Sequence, residues 1–176
     1  YTIEAIKDGY DLIYKAYLLY EDFGGEIDFL IKNKSKSDLG DFSYEVYDTK
    51  VTKTLRPKHV LQTTGYSFLL SKIQGLMPKK MHLVDGTQLI NSFNVNEFVD
   101  YFLFTKNNFE KFLSTVLKEK MYPEKCSFCN ICDWQDVCTK KWDEDNYINQ
   151  VCGIRSSQIS KLKKENISTI EKLAKT

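Results

Sequence analysis

The sequence predicts an α/β fold in which a mixed sheet is flanked by helices. Two apolar, β-prone stretches cover residues 24–30 and 44–50, and a polar segment rich in Asn, Ser, Asp and Gly separates them. A stretch with helical periodicity begins at Pro57, and a further β-prone stretch begins at Met81. Strands that alternate with a helix of this length are typical of α/β domains.

Residues 2–20 are predicted to form an amphipathic helix, because apolar residues recur along one side of it. That stripe consists of Ile3, Ile6, Tyr10, Ile13, Tyr17 and Leu18. Gly24 and Gly25 then predict a tight turn into a strand that carries Asp28. The polar residues 32–41 predict a hairpin loop, which makes this strand and the next one antiparallel neighbours.

Residues 57–73 are predicted to form the next helix. Pro57 suits a first helical turn, and Gly75 with Pro78 ends the helix. The residues that recur at helical spacing are Val60, Leu61, Thr64, Phe68, Leu69 and Ile73. The remaining predicted elements are strands at 80–85 and 87–93, a long helix at 95–120, and short helices at 156–164 and close to Lys175.

Asp48 and Lys50 lie at the end of the second predicted strand. Residues two apart in a strand point to the same face, so these side chains project together. A carboxylate can bind a hard divalent cation, and a neighbouring lysine can orient a water molecule or contact a phosphate. With Asp28 on the adjacent strand, the three residues predict a metal and phosphodiester site. The alternative is a set of hairpin charges that face solvent.

Four of the five cysteines, Cys126, Cys129, Cys132 and Cys138, follow a C-x2-C-x2-C-x5-C spacing. Close cysteine pairs of this kind can bring two thiolates to one metal. The sequence shows no secretory segment, which disfavours disulfides and predicts a cytoplasmic location. A metal centre is therefore predicted, and zinc and iron–sulfur are both consistent with thiolate ligands. Cys152, in an apolar context, is predicted to be a buried free thiol.

The 176 residues are predicted to form one domain, or one domain with a small appendage. The contents of 42 % hydrophobic and 28 % charged residues indicate a soluble protein with a core. No apolar run reaches the length of a membrane span, so no membrane association is expected.

The net charge of +1 gives no overall basic excess, and a DNA-binding face therefore requires a local cluster. Lys50, Lys53, Arg56 and Lys58 form such a cluster beside the predicted site. The alternative is a solvated face.

These motifs, in this order, resemble the RecB-like branch of the PD-(D/E)XK nucleases. The order is G-x-x-D, then (D/E)-x-K, then Q-x-x-x-Y on the following helix. The matching stretches are GYDLIYKAYL, GGEIDFL, the segment from YEVYDTK to HLVDG and the cysteine-rich tail, which together extend from about Thr2 to Ala174. The resemblance is closest to a group with a C-terminal cysteine cluster, some members of which are fused to a superfamily I helicase.

The resemblance implies a restriction-endonuclease-like core closed by a cysteine-metal knuckle, and it implies roles for individual residues. Asp28 and Asp48 would bind Mg²⁺ or Mn²⁺, and Lys50 would orient or activate the attacking water. Gln62 and Tyr66 would support the active site or contact the DNA backbone.

One position departs from the family pattern. Many RecB-like nucleases carry a His or Glu on the first helix as a further metal ligand. At the corresponding spacing after Gly9 this chain has the apolar Ile13, so the ligand is missing or comes from elsewhere. Glu4 and Asp11 are the candidates, and both also fit solvated helix charges.

The resemblance also bears on the cysteines. Related nucleases hold a 4Fe–4S cluster with one cysteine before the nuclease motifs and three after them. The family's tail, C-x2-C-x-W-x3-C, fits Cys129, Cys132, Trp134 and Cys138. The first cysteine would then lie upstream, in a longer chain of which this is a fragment, and Cys126 is a spare or a substitute fourth ligand. Zn²⁺ is the alternative to the iron–sulfur cluster.

The expected function is hydrolysis of phosphodiester bonds in DNA by a metal-dependent exonuclease, acting on single-stranded ends in DNA repair, recombination or defence. The expected partners are single-stranded DNA and a helicase domain or subunit. Residues 1–142 would form the nuclease core with its cysteine cluster, and residues 143–176 a short segment like a helix-hairpin-helix. The alternatives are a catalytically weak nucleic-acid-binding module and a zinc-knuckle interaction domain.

Overall fold

The computed structural model of the chain describes residues 1–116 and 121–176. The chain forms two compact units, Tyr1–Ser114 and Thr115–Thr176. The first contains a five-stranded mixed sheet flanked by helices, as predicted, and the second is built from short helices. None of the helices in the described ranges is both long and apolar enough to cross a membrane.

The strands of the sheet lie side by side in chain order. They are β1 (Leu12–Tyr20), β2 (Phe23–Asn33), β3 (Ser43–Thr49), β4 (Lys80–Val84) and β5 (Ile90–Asn94). The helices of this unit are α1 (Thr2–Asp8), α2 (Pro57–Gln74) and α3 (Val99–Val116). Neighbouring strands are antiparallel except β3 and β4, which are parallel and joined through α2. The predicted antiparallel pairing of the Asp28 and Asp48 strands is thus confirmed.

The prediction of one helix over residues 2–20 is wrong. The helix ends at Asp8, and Gly9 follows with a φ of 73°, the left-handed conformation that commonly ends a helix. Residues 12–20 instead form β1, which pairs along its length with β2. Apolar residues occupy almost every position of this segment, so its pattern suits a strand as well as a helix, and sheet pairing decides between them.

Other boundaries also differ from the predictions, and the strand predicted over residues 87–93 is β5, Ile90–Asn94. Gly24 and Gly25 lie inside β2, and the turn that precedes it is at residues 21–22, where Glu21 has a φ of 54°. The long helix begins at Val99, after a 3₁₀ turn at Val95–Glu97, rather than at residue 95. Its predicted end, over residues 117–120, lies outside the described residues.

The main core lies where α1 and α2 cover one face of the sheet. Its buried residues are Ile6, Ile13, Ala16, Leu18, Ile27, Leu30, Tyr44, Val46, Leu69 and Leu70.

A buried polar contact also joins α2 to the sheet. The Gln74 side chain accepts a hydrogen bond from the Tyr44 backbone N–H (2.9 Å) and donates to the Tyr44 carbonyl (3.3 Å) and the Leu76 carbonyl (2.9 Å). Because β4 pairs with β3 only from Val46 onward, Gln74 takes the place of a strand partner at Tyr44.

The second unit contains α4 (Gln135–Glu144), α5 (Ser156–Lys164) and α6 (Ile170–Ala174). Its buried apolar residues are Trp142, Tyr147, Ile148 and Ile159. The cysteine segment and the C-terminal helices share this unit, and α4 continues through residue 142. A functional division of the chain at that residue stays a prediction. Cys152 is exposed, which corrects its expected burial.

Replacement of Gln74 by Leu should destabilise the first unit by about 3 kcal/mol, because buried backbone groups at Tyr44 lose their partners while the apolar volume is kept. Urea denaturation measures the effect. Ser71→Ala, at a half-buried position one turn earlier in α2, is the control and should change stability by well under about 1 kcal/mol. Equal stability of the two variants would show that Gln74 does not secure the edge of β3.

Candidate active site

The register of the sheet brings the two predicted metal-binding residues to neighbouring strands. Phe29 of β2 pairs with Tyr47 of β3, so Asp28 stands opposite Asp48 at the next position. On its other side, Asp48 pairs with Leu83 of β4. Asp48 is therefore on a central strand, and it is only 4 % exposed.

Asp28 is held by ordered donors on both sides. Its Oδ1 accepts a hydrogen bond from Lys15 Nζ at 2.8 Å, and its Oδ2 accepts from the Thr49 backbone N–H at 2.8 Å and from Thr49 Oγ1 at 2.5 Å. Burial alone would raise the pKa of Asp28, but the bonds from Lys15 and Thr49 outweigh it and lower the pKa. Asp28 is therefore an ionised carboxylate at neutral pH.

Asp48 is in the opposite electrostatic situation. Burial raises its pKa, and the Asp28 charge raises it further, whereas the adjacent Lys50 lowers it without cancelling the shift. Asp48 Oδ2 forms an ion pair with Lys50 Nζ. That oxygen is buried and has no well-formed hydrogen bond within the described residues. The ionised form of Asp48 is thus under-compensated, and a further cation would stabilise it.

Lys50 continues the polar network into helix α2. Its Nζ donates to Gln62 Oε1 at 2.9 Å, and Gln62 Nε2 donates to the Tyr66 hydroxyl at 2.7 Å. Gln62 and Tyr66 are four residues apart and therefore share one face of the helix. The ring of Tyr66 lies on Gly25, where an added Cβ would stand 2.5 Å from Tyr66 Cε1. A glycine is needed at this position because the ring approaches the strand so closely.

All five predicted site residues therefore lie together. Asp48, Lys50, Gln62 and Tyr66 form one continuous chain of contacts. Asp28 joins the same region through Thr49, and its charge acts on Asp48. These residues lie on β2, β3 and α2, except Lys50, which directly follows β3.

Three residues of the site were missed from the sequence: Lys15, Glu26 and Thr49. Lys15 has a φ of 53°, unusual for a residue with a side chain, and its Nζ bridges Asp28 and Glu26 Oε1, at 3.1 Å from the latter. These carboxylates raise the pKa of Lys15, so it stays charged. The sequence signal for Lys15 was a lysine within the otherwise apolar stretch 12–20. Because this stretch was predicted to be a helix, its lysine was not placed beside Asp28.

The first-helix ligand of the family has no counterpart at the expected place. Ile13 is a buried core residue on β1, not on a helix. Glu4 makes an ion pair with the N-terminus, and the Asp11 side chain is almost fully exposed with Lys32 at 3.9 Å. Neither contacts Asp28 or Asp48.

The carboxylates fit a hard divalent cation. Mg²⁺ is commonly bound through one or two carboxylates plus water and substrate phosphates, so Asp28 and Asp48 are a sufficient protein contribution. Within residues 1–116 and 121–176, no three His, Cys, Asp or Glu side chains are grouped to hold a metal. A cation at Asp28 and Asp48 would therefore find no third acidic, His or Cys ligand among the described residues, and it would compete with Lys15 and Lys50 for the carboxylate oxygens.

Two of the four cluster cysteines lie close together. The sulfur atoms of Cys126 and Cys129 are 3.9 Å apart, similar to the roughly 3.8 Å between two thiolates on a tetrahedral zinc. Cys129 and Cys138 are half-buried beside the small core, whereas Cys126 and Cys132 are exposed. The described residues thus bring together one pair, and a centre with three or four thiolates stays a prediction.

The predicted basic patch loses one of its four members, Lys50, in the structure. Lys53, Arg56 and Lys58 are exposed and form no ion pair within the described part of the chain. Lys50 does not belong with them, because its ammonium is committed to Asp48 and Gln62.

Comparison with protein-family models and with curated proteins finds no match for this chain. The functional assignment therefore depends on the motifs and on the geometry of the site.

Asp28 and Asp48 should contribute to stability with opposite signs. The folded-state pKa of Asp28 is lowered, so its stabilising effect is present above its unfolded pKa of about 4 and is lost as the pH falls through the folded value. The folded-state pKa of Asp48 is raised, so its ionisation reduces stability as the pH rises from about 4 through the folded value.

Asp28→Asn should therefore lower the free energy of unfolding by about 1–2 kcal/mol at neutral pH, and the loss should vanish in strong acid. Asp48→Asn, its matched control, should leave stability at neutral pH unchanged or raised. Urea denaturation at both pH values provides the measurement. A large loss of stability in Asp48→Asn at neutral pH would contradict the assigned electrostatics.

Proposed function

We propose that this chain is a metal-dependent deoxyribonuclease related to the RecB-like branch of the PD-(D/E)XK nucleases. The observation that carries the proposal is the contact chain Asp48–Lys50–Gln62–Tyr66 beside Asp28. Those residues come from separate motifs of the sequence, and the fold brings their side chains into contact. Such contact is what a shared reaction site requires. The mixed sheet flanked by helices agrees with the core that the resemblance implies.

Asp28 and Asp48 would hold Mg²⁺ or Mn²⁺ in this proposal. The cation would supply Lewis-acid polarisation of the scissile phosphate and lower the pKa of a bound water. The raised pKa of Asp48 suits this role, because a buried carboxylate with insufficient compensation gains most from a nearby positive charge.

Lys50 would orient the attacking water and offset the negative charge that develops on the phosphate. Its position depends on two anchors, Asp48 and the Gln62 carboxamide. Tyr66 fixes the orientation of that carboxamide by accepting from Nε2, which leaves Oε1 for the ammonium. Gln62 and Tyr66 are therefore positioning residues for Lys50.

The proposed substrate is a single-stranded DNA end, and the proposed setting is DNA repair, recombination or defence with a helicase domain or subunit. A second candidate function is nucleic-acid binding with weak or no catalysis. The specific observation that favours it is that both carboxylates are already paired with lysines, Asp28 with Lys15 and Asp48 with Lys50. A cation that cannot compete with these ammonium groups would leave a binding module only.

Lys50→Ala should reduce Mn²⁺-dependent cleavage of labelled single-stranded DNA by about 10²–10⁴-fold, because the group that orients the water is removed. Asp48→Asn should have a similar effect. The control is Lys36→Ala, an exposed lysine in the loop between β2 and β3, which should cleave like the unaltered chain. Duplex DNA of the same sequence is assayed in parallel.

Full cleavage by Lys50→Ala, or cleavage that does not need a divalent metal, would refute this active site. Specific DNA binding without cleavage by the unaltered chain would instead favour the second candidate function.

We also propose that the cysteine segment holds a structural 4Fe–4S cluster, with Zn²⁺ as the alternative. Cys129, Cys132 and Cys138 are the proposed ligands and Cys126 the candidate fourth, since its sulfur is already next to that of Cys129. Thiolate–metal bonds contribute directly to folding free energy when the unfolded chain has no preformed site.

Cys132→Ser should lower the iron or zinc content of anaerobically purified protein and reduce hydrogen-exchange protection from residue 121 onward. Cys152→Ser, at an exposed cysteine outside the motif, is the matched control and should keep the metal. Visible absorption from an iron–sulfur cluster would separate iron from zinc. Protein that contains no metal but keeps full hydrogen-exchange protection from residue 121 onward would contradict the proposed centre. The zinc-knuckle alternative would then also have no support.

A further inference from the structure

Two neighbouring clefts lie along helix α2, and one of them reaches the candidate active site. One cleft, of about 410 Å³, is lined by Gln62 and Tyr66 of the site and by Lys58 and Leu61. A second cleft, of about 550 Å³, shares Lys58 and Leu61 with the first. The two clefts are therefore neighbours along α2, on either side of Lys58 and Leu61, and one of them reaches the Lys50 partners. We refer to the two neighbouring clefts together as the groove.

The far cleft combines aromatic walls with positive charge at its mouth. It is lined by Phe93 of β5, by Phe98 directly before α3 and by Tyr101 of α3, and Tyr101 is 65 % exposed. Arg56 and Lys58 also line it, and both are exposed without an ion pair in the described ranges. No acidic residue is found among the described residues that line either cleft.

We propose that this groove binds unpaired bases of a single DNA strand whose phosphate lies at the candidate active site. The inference rests on the proposed nuclease function and names the place where its substrate is held. Sites for single strands combine aromatic faces on which bases stack with cations that follow the backbone, and the far cleft has both. Arg56 and Lys58, with no acidic residue among the described lining residues, make the far cleft complementary to a polyanion.

The structure assigns separate tasks to the groove residues. Tyr101 is the stacking residue, because its ring is exposed at the cleft rather than committed to the core. Lys58 contacts the backbone between this base and the cutting site, because it lines both clefts. A duplex keeps its base faces stacked inside, so the groove selects a single strand.

Fluorescence anisotropy of a labelled single-stranded oligonucleotide tests the groove, in buffer without added Mg²⁺ or Mn²⁺ so that no strand is cut. Tyr101→Ala should bind about 5- to 100-fold more weakly, as expected for the loss of one stacked base. Phe109→Ala, an exposed aromatic on the same helix outside both clefts, is the control and should bind like the unaltered chain. An oligonucleotide with abasic sites should bind the unaltered chain more weakly but show little further loss with Tyr101→Ala.

Lys58→Ala should weaken binding for all sequences and reduce the slope of log affinity against log salt by about 0.7, as for one phosphate contact on a single strand. Lys36→Ala is its control. Thermal unfolding of each variant shows whether the fold is intact, and Tyr101 is exposed enough for its truncation to be tolerated.

Equal affinities of Tyr101→Ala and Phe109→Ala for the oligonucleotide would overturn the groove, as would a failure of the unaltered chain to prefer single strands over duplex. The proposed nuclease function is judged separately by Lys50→Ala. If cleavage needs Lys50 but not Tyr101, only the proposed groove is refuted. If the unaltered chain shows no metal-dependent cleavage, the proposed nuclease function is refuted.

Discussion

A carboxylate buried at the end of a central strand is the constraint on which the candidate site depends. Asp48 is 4 % exposed and lies between β2 and β4, where little water reaches its charge. An ionised group in such a place requires a cationic partner. Lys50 provides one, and Gln62 and Tyr66 hold Lys50 in place from α2. The geometry of the site therefore follows from compensation of one charge.

The sheet determines which other groups can reach that charge. Asp28 faces Asp48 because of the β2–β3 register, and its own charge is compensated by Lys15 and Thr49. Gly25 leaves the space in which the Tyr66 ring rests against β2. The two carboxylates thus differ electrostatically despite their proximity: Asp28 has a lowered pKa and Asp48 a raised one. A divalent cation between them would relieve the shortage of positive charge at Asp48.

The sequence was informative where local patterns coincide with tertiary contacts. The strand that carries Asp48, the helix that begins at Pro57 and the shared face of Gln62 and Tyr66 all follow from spacing. The segment 12–20 could not be predicted correctly, because apolar residues at nearly every position fit the periodicity of a helix as well as that of a strand. Pairing with β2 is what makes this segment a strand. Lys15 was missed for the same reason. The hydrogen bonds of Gln74 to Tyr44 were also beyond prediction, since they depend on where β4 begins.

The central claim is that Asp28 and Asp48 share one divalent cation. It is tested most directly by titrating the chain with Mn²⁺ and following free Mn²⁺ by electron paramagnetic resonance. The account predicts one bound ion per chain, lost in both Asp28→Asn and Asp48→Asn, while Asp11→Asn, at an exposed aspartate away from the site, keeps it. Binding of Mn²⁺ to Asp48→Asn with undiminished affinity would contradict the claim.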